Sequence, residues 1–274
     1  MSGKPSRAAP PGGAEAAPVD DRGVAARLFA ILDAFTAPTV AASLTLSAIA
    51  ERAGLPLSTT HRMVAEWVAW GGLARQEDGR YTLGMRLWEI GVQTPTARTL
   101  RTIALPYLED LYESTREHVH LAILDGGDAL YLEKLSGHHA VNVISRVGGR
   151  LPLHSTGVGL VLLAYAPNDV IQSYLNDPLQ KFLPQTMTSS DEIRARLSGI
   201  RAHGVALMSE EMTAGSSSVA APIRDRTGQV VAAVSIVTRT DPATGARLDP
   251  AQEQAVRVAA HGISRALGYR RSAT

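Results

Sequence analysis

From Val24 the apolar positions recur at a helical period: Val24, Leu28, Ile31, Leu32 and Phe35 share one face, and Pro38 lies just past the end. Ile49, Ala50 and Ala53 predict a short second helix, broken by Gly54-Leu55-Pro56. A third is expected from Ser58, a good N-cap, with Thr60, Met63, Val64 and Trp67 inward and Gly71-Gly72 as its stop. Two short extended pieces follow, 73–75 and 80–83, separated by Glu77-Asp78-Gly79. The Asp-Gly pair signals a tight hairpin.

A further apolar helix is expected from about Met85 to Val92, then a joint at Pro95-Thr96. Ala104, Leu105, Leu108 and Leu111 mark the next helix, with Pro106 in its first turn. Beyond it strands and helices mix. Strands are expected at 119–123, 129–134 and 141–146, helices at about 157–165, 169–175 and 191–203, and strands near 205–208, 217–224 and 229–237. Asp249 caps a last helix with Pro250 at its first position. The pattern predicts an α+β chain: an N-terminal winged helix-turn-helix domain, a linker helix, and a C-terminal α/β domain with an antiparallel sheet. The expected bounds are a disordered tail over 1–21, the winged domain over 22–84, the linker over 85–102 and the α/β domain over 103–274.

Composition narrows the function. Of 274 residues, 45% are hydrophobic and 19% charged, enough for one small and one medium core. Aromatics at 5% argue against a stacking platform for single-stranded nucleic acid. The formal net charge of +1 requires any DNA footprint to be local. With no cysteine there are no disulfides, thiolate zinc sites or cysteine nucleophiles. Met1–Asp21 is rich in Pro, Gly and Ala without the apolar core of a signal peptide, and the longest apolar stretch, Val158–Ala166, is too short to span a bilayer. A soluble cytoplasmic protein is expected.

The segment Leu46–Met63 carries the sharpest signal. A helix-turn-helix needs a small residue where its helices cross, which Ala50 supplies, and a residue tolerant of positive φ four positions later, which Gly54 supplies. Thr60 stands where a branched aliphatic is commoner, so its hydroxyl needs a partner. The recognition helix then exposes Ser58, Thr59, His61 and Arg62 to a major groove. Arg62 suits a guanine edge, and Ser58 and Thr59 suit phosphates near the free amides of the helix start. Arg75 and Arg80 sit on the wing for phosphate or minor-groove contact. Three helices and a hairpin also make an ordinary packed domain, and a protein-interaction module is the alternative use of it.

In the α/β domain, Gly215-Ser216-Ser217-Ser218 is expected to open a strand with free amides able to hold a carboxylate. Ser155, Thr156 and Gly157 precede a helix, so their amides also suit an anion. Ordinary turn chemistry explains the same residues. His118 and His120 share a strand face, and His138, His139 and His154 follow, yet no pair has metal-ligand spacing. Glu210-Glu211 either orients a ligand or caps the sheet edge, the latter being the expected role. A hydrolase is the competing class, but no Gly-x-Ser-x-Gly elbow, P-loop or dinucleotide fingerprint is present. No catalytic residue, metal or cofactor is expected.

Leu57–Val64 (LSTTHRMV), the wing end Tyr81-Thr82-Leu83-Gly84, Leu151–Gly159 (LPLHSTGVG), Ile200–Glu211 (IRAHGVALMSEE), Gly215–Ile223 (GSSSVAAPI) and Val231–Ile236 (VAAVSI) stand in one order and spacing. Over about residues 23–268 they resemble the IclR family of bacterial regulators. The resemblance implies a GAF-like effector domain, dimers or tetramers on palindromic double-stranded operator DNA, and small organic acids or aromatic metabolites as effectors. By position it implies a pocket of Ala140, Val143, Leu151, Gly157 and Val158 facing Met208, Ser216, Ser218, Ser235 and Val237, with Ser155 added by the amide argument. Met208 replaces an acid, and Val237 a serine, found in some members, so glyoxylate-like effectors are disfavoured. The family's usual Gly-Glu-Thr reads Arg116-Glu117-His118 here, which alters the expected pocket edge.

Overall fold

The computed structural model describes residues 22–36, 43–136, 141, 143–240 and 249–270; the expected tail over 1–21 lies outside them. The chain divides into two compact units, Met1–Leu87 and Trp88–Thr274.

In the first unit, α1 (Val24–Asp33), α2 (Leu46–Ala53) and α3 (Leu57–Trp70) precede a hairpin of β1 (Leu73–Arg75) and β2 (Tyr81–Leu83). Thr45 caps α2 by accepting from the Ala48 amide at 3.2 Å. Gly54 ends α2 at φ +61°, a left-handed conformation that frees the chain to turn at once into α3. Ile31, Phe35, Ile49, Ala53, Met63, Val64, Leu73 and Tyr81 bury into one core, and Leu44 pairs with Tyr81 beside the wing. One expectation needs correction. Helix α3 begins at Leu57, with Pro56 at the cap position, so Ser58 is inside the first turn rather than at the cap. Proline fixes φ there and pre-sets the chain for a helix. The Thr60 hydroxyl finds its partner within the same helix start, donating to the Pro56 carbonyl at 3.0 Å.

The expected linker helix over 85–102 is two helices, α4 (Met85–Gly91) and α5 (Pro95–Thr115). Pro95 has no N–H to continue the ladder, and it forces Thr94 out of the helical region, at ψ 109°. Pro106 lies inside α5 rather than in its first turn. Arg116 ends α5 in the left-handed region at φ +59°, a conformation that glycine adopts more readily.

The second unit is built on a six-stranded antiparallel sheet in the order β5-β4-β3-β8-β7-β6. Its strands are β3 (His118–Asp125), β4 (Asp128–Leu135), β5 (Arg150–Pro152), β6 (Ala206–Ser209), β7 (Ser216–Arg224) and β8 (Val230–Arg239). A 3₁₀ turn at Leu153–Ser155 leads into α6 (Gly157–Ala164), followed by α7 (Asn168–Asn176), α8 (Ser190–His203) and, after β8, α9 (Pro250–Ala266). Side chains alternate between the two faces. Val119, Leu121, Val219, Ala221, Ile223, Val234 and Ile236 pack against α5 and α9. Ala122, Tyr131, Ala220 and Ala233 pack with α6, α7 and α8. Helix α6 is buried on every side, as its unbroken apolar sequence requires.

Residues 141 and 143–146 form no strand, contrary to expectation. The outer edge of β4 is already filled: Tyr131 exchanges backbone bonds with Gly148 and Gly149, and β5 pairs with 128–130. With residues 128–131 of that edge taken, 141 and 143–146 stay irregular.

Candidate functional site

Helix α3 buries Thr60, Met63 and Val64 and turns Ser58, His61 and Arg62 to solvent, with Thr59 half-buried. Its start carries no side-chain cap, so the first amides are open. Neither Arg62 nor Arg75 has a hydrogen-bond or ion-pair partner among the described residues, and both are exposed. Arg80 differs. It is half-buried, its Nε donates to Ser43 Oγ at 2.9 Å, and its Nη2 donates to the Ser43 carbonyl at 3.1 Å. That guanidinium ties the wing to the segment before α2.

A cavity opens on the α6 face of the sheet. The cause is residue size. On β7 and β8 the α9 face carries Val219, Ile223, Val234 and Ile236, whereas the opposite phase carries Ser218, Ala220, Ala233 and Ser235. Small side chains leave volume that nothing else fills. Gly157 brings the start of α6 close, because a Cβ there would stand 3.0 Å from Ser218 Oγ.

Of the sequence-predicted residues, Val143, Leu151, Ser155, Gly157 and Val158 line this cavity together with Met208, Ser216, Ser218, Ser235 and Val237. Ala140 lies outside the described residues, as do His138 and His139. The cavity also takes in His120, Tyr131, Ile144 and Ser145, and Thr156 with Glu210 to Thr213. Strand phase was the missed signal for His120, which lies two residues before inward Ala122. Tyr131 was hidden by a bulge. The register shifts at Leu121/Ala122, so Leu121 faces Glu133 and Ala122 faces Tyr131 across the pair. Glu133 thereby joins the α5 face, where Arg101 Nε donates to its Oε2 at 2.6 Å.

The wall is polar in a few fixed places. His120 bonds through Nε2 to Ser145 Oγ at 2.8 Å and meets the Tyr131 ring edge-on at 5.3 Å. Burial, then the Lys134 and His118 charges, push its pKa down to about 3, so the imidazole stays neutral at ordinary pH. Burial raises that of Tyr131, keeping the phenol protonated. His118 does not line the cavity; its Nε2 lies 2.7 Å from the Val141 carbonyl. His154 is likewise structural, held by Tyr174 and the Gln180 carbonyl. Among the described residues, no cluster has the side chains to hold a metal ion.

The expected free amides at Gly215–Ser218 are not free. The Gly215 amide donates to Glu210 Oε1 at 3.1 Å, and 216–218 pair within the sheet. The protein's own carboxylate occupies that opening. At the α6 start Thr156 Oγ1 accepts from the Gly159 amide, while Gly157 and Val158 come before any intrahelical acceptor. Ser155 Oγ beside them is buried without a partner.

The sequence model of the IclR helix-turn-helix domain matches residues 24–77, and that of the bacterial transcriptional regulator IclR C-terminal domain matches residues 93–265. The regulator XynR of Escherichia coli is 35% identical over 245 residues, 89% of this chain and 96% of that protein. BhcR of Paracoccus denitrificans is 32% identical, with 97% of this chain and 96% of that protein covered. An IclR homologue from Microbacterium hydrocarbonoxydans, crystallised with 4-hydroxybenzoate, is 37% identical with a TM-score of 0.82, covering 89% of this chain and 99% of the other.

Proposed function

The chain belongs to the IclR family of transcriptional regulators, with a helix-turn-helix DNA-binding domain and a C-terminal effector domain, and on that premise we propose which residues read DNA and which hold the effector. Ser58, Thr59, His61 and Arg62 enter the major groove of a palindromic operator, Arg62 reading a base edge and Arg75 holding phosphate. Arg80 acts by fixing the wing. A palindrome is read by two copies, so the working form is a homodimer or homotetramer. The effector is a small aromatic or other organic acid, enclosed by the α6-face cavity. The observation that carries this reading is the cavity itself, apolar over Val143, Leu151, Val158 and Val237 with a few fixed hydroxyls and amides. The 4-hydroxybenzoate bound by the Microbacterium relative supports the aromatic class.

Effector binding alters DNA affinity only through different affinities for two arrangements of the protein. Gel shifts on the natural operator, with and without candidate acids, test the whole reading. Arg62→Ala is expected to weaken specific binding by about 1–3 kcal/mol and to relax the sequence preference. An unaltered footprint and affinity in that variant would remove Arg62 from the interface.

A further inference from the structure

Glu211 is 5% exposed and lines the cavity, yet only half of its carboxylate is used. Oε1 accepts from Arg196 Nη1 at 2.8 Å, and the Glu211 carbonyl accepts from Thr186 Oγ1 at 2.6 Å. These bonds fix the residue in place. Oε2 is buried with no hydrogen-bond partner. A buried acceptor left unpaired is costly, and more so when it is charged.

The surroundings relieve it only in part: burial raises the Glu211 pKa, while the Arg196 guanidinium and the Ser209 amide pull the other way. Arg196 is spent: its other nitrogen donates to the Leu207 carbonyl and reaches Met208 Sδ at 3.5 Å. No lysine or arginine is among the described residues lining the cavity. The Ser216 hydroxyl is turned elsewhere, its Oγ donating to the Thr213 carbonyl at 2.6 Å. Glu210 adds a second carboxylate, occupied by the Gly215 amide. This part of the wall therefore offers acceptors, while Ser155 and the α6 start offer donors.

We propose that Glu211 selects the effector by accepting a hydrogen bond from a hydroxyl that the effector carries. The ligand class is then a hydroxylated acid: its carboxylate meets the donors at Ser155, Gly157 and Val158, and its hydroxyl meets Glu211 Oε2. This rests on the cavity being the effector site. A simple acid without a hydroxyl leaves Oε2 unpaired, and an ether sets an acceptor against an acceptor.

Titration calorimetry on the full-length protein tests the idea, using benzoate, 3- and 4-hydroxybenzoate, and the two corresponding methoxybenzoates. One hydroxybenzoate is expected to bind about 10- to 100-fold more tightly than benzoate and than its own methyl ether. In Glu211→Gln an amide oxygen still serves Arg196, and the NH₂ now faces the ligand and can donate to a hydroxyl or an ether oxygen alike, so the hydroxyl's advantage over its methyl ether should disappear. Binding of all five acids with equal affinity to the native protein overturns the Glu211 assignment and leaves the effector site intact. So does a hydroxyl advantage over the methyl ether that survives in Glu211→Gln. Failure of all five acids to bind the native protein overturns the aromatic-acid reading of the cavity, and this inference with it. The native series is decisive even where the variant does not fold.

Discussion

His120 is 2% exposed, bonded to Ser145 and packed on Tyr131, and its neutral state is a condition of the fold. Its pKa is about 3 in the native protein against 6.5 for the free side chain, with burial the first cause. Between those values the unfolded chain binds the proton and the native protein does not. Stability therefore rises with pH across that window and is lost as pH falls from about 6.5 toward 3. The slope for this one residue approaches about 1.4 kcal/mol per pH unit. Burial also lowers His118 and His154, and both act in the same direction. Urea unfolding at pH 7 and pH 5 should show the loss, with a shallower pH dependence in His120→Gln. Equal slopes in the two proteins would mean that His120 is not buried neutral. A neutral His120 also means that, among the described residues, the cavity has no histidine cation to hold an effector's carboxylate.

Two glycines within helices show how element context sets the sign of one substitution. Gly199 sits within α8 with nothing within 4 Å of an added Cβ. Gly199→Ala should raise stability by about 0.5–1 kcal/mol, because alanine loses less backbone freedom in a helix. Gly159 sits in α6, where a Cβ would stand 2.5 Å from the Leu153 carbonyl oxygen and from Thr156 Oγ1. Gly159→Ala should cost roughly 1–3 kcal/mol or more through overpacking, and it should displace the Thr156 cap beside the cavity. Thermal melts of the two variants, shifting in opposite directions, check both. Much of the element order was legible in advance because periodicity and turn chemistry are local. The 141–146 strand was misread because its alternation is genuine, while the edge it needed belongs to 148–152. The joint at Pro95 was visible, but the helix was placed after it rather than from it.

Each of the two units has its own core. Ile31, Ile49, Met63 and Leu73 belong to the first; the two clusters on either face of the six-stranded sheet belong to the second. A ligand bound in the second unit stabilises the native form by mass action, by about 2.7 kcal/mol at a hundredfold excess over Kd. Scanning calorimetry should show a saturating effector raising the transition of the unit from Trp88 onward. A shift confined to the N-terminal unit would place the ligand outside the α6-face cavity. The net charge of +1 bears on DNA affinity at this scale too. The footprint is local, so removing one phosphate contact in Arg75→Ala should lessen the log–log salt slope by about one unit.

The sequence alone determined the helix-turn-helix, because Ala50, Gly54 and the apolar flanks act over a few residues through sterics and local burial. Part of the cavity wall was anticipated as well, but through the family resemblance and the amides beside Ser155 rather than through strand alternation. Only the tertiary structure decided what each polar group does. Glu210 answers the Gly215 amide, Arg80 answers Ser43, and Arg196 holds one oxygen of Glu211 while leaving the other unpaired. Those pairings join groups that lie on different elements, or whose chain must first turn back on itself, and no local pattern encodes which donor reaches which acceptor.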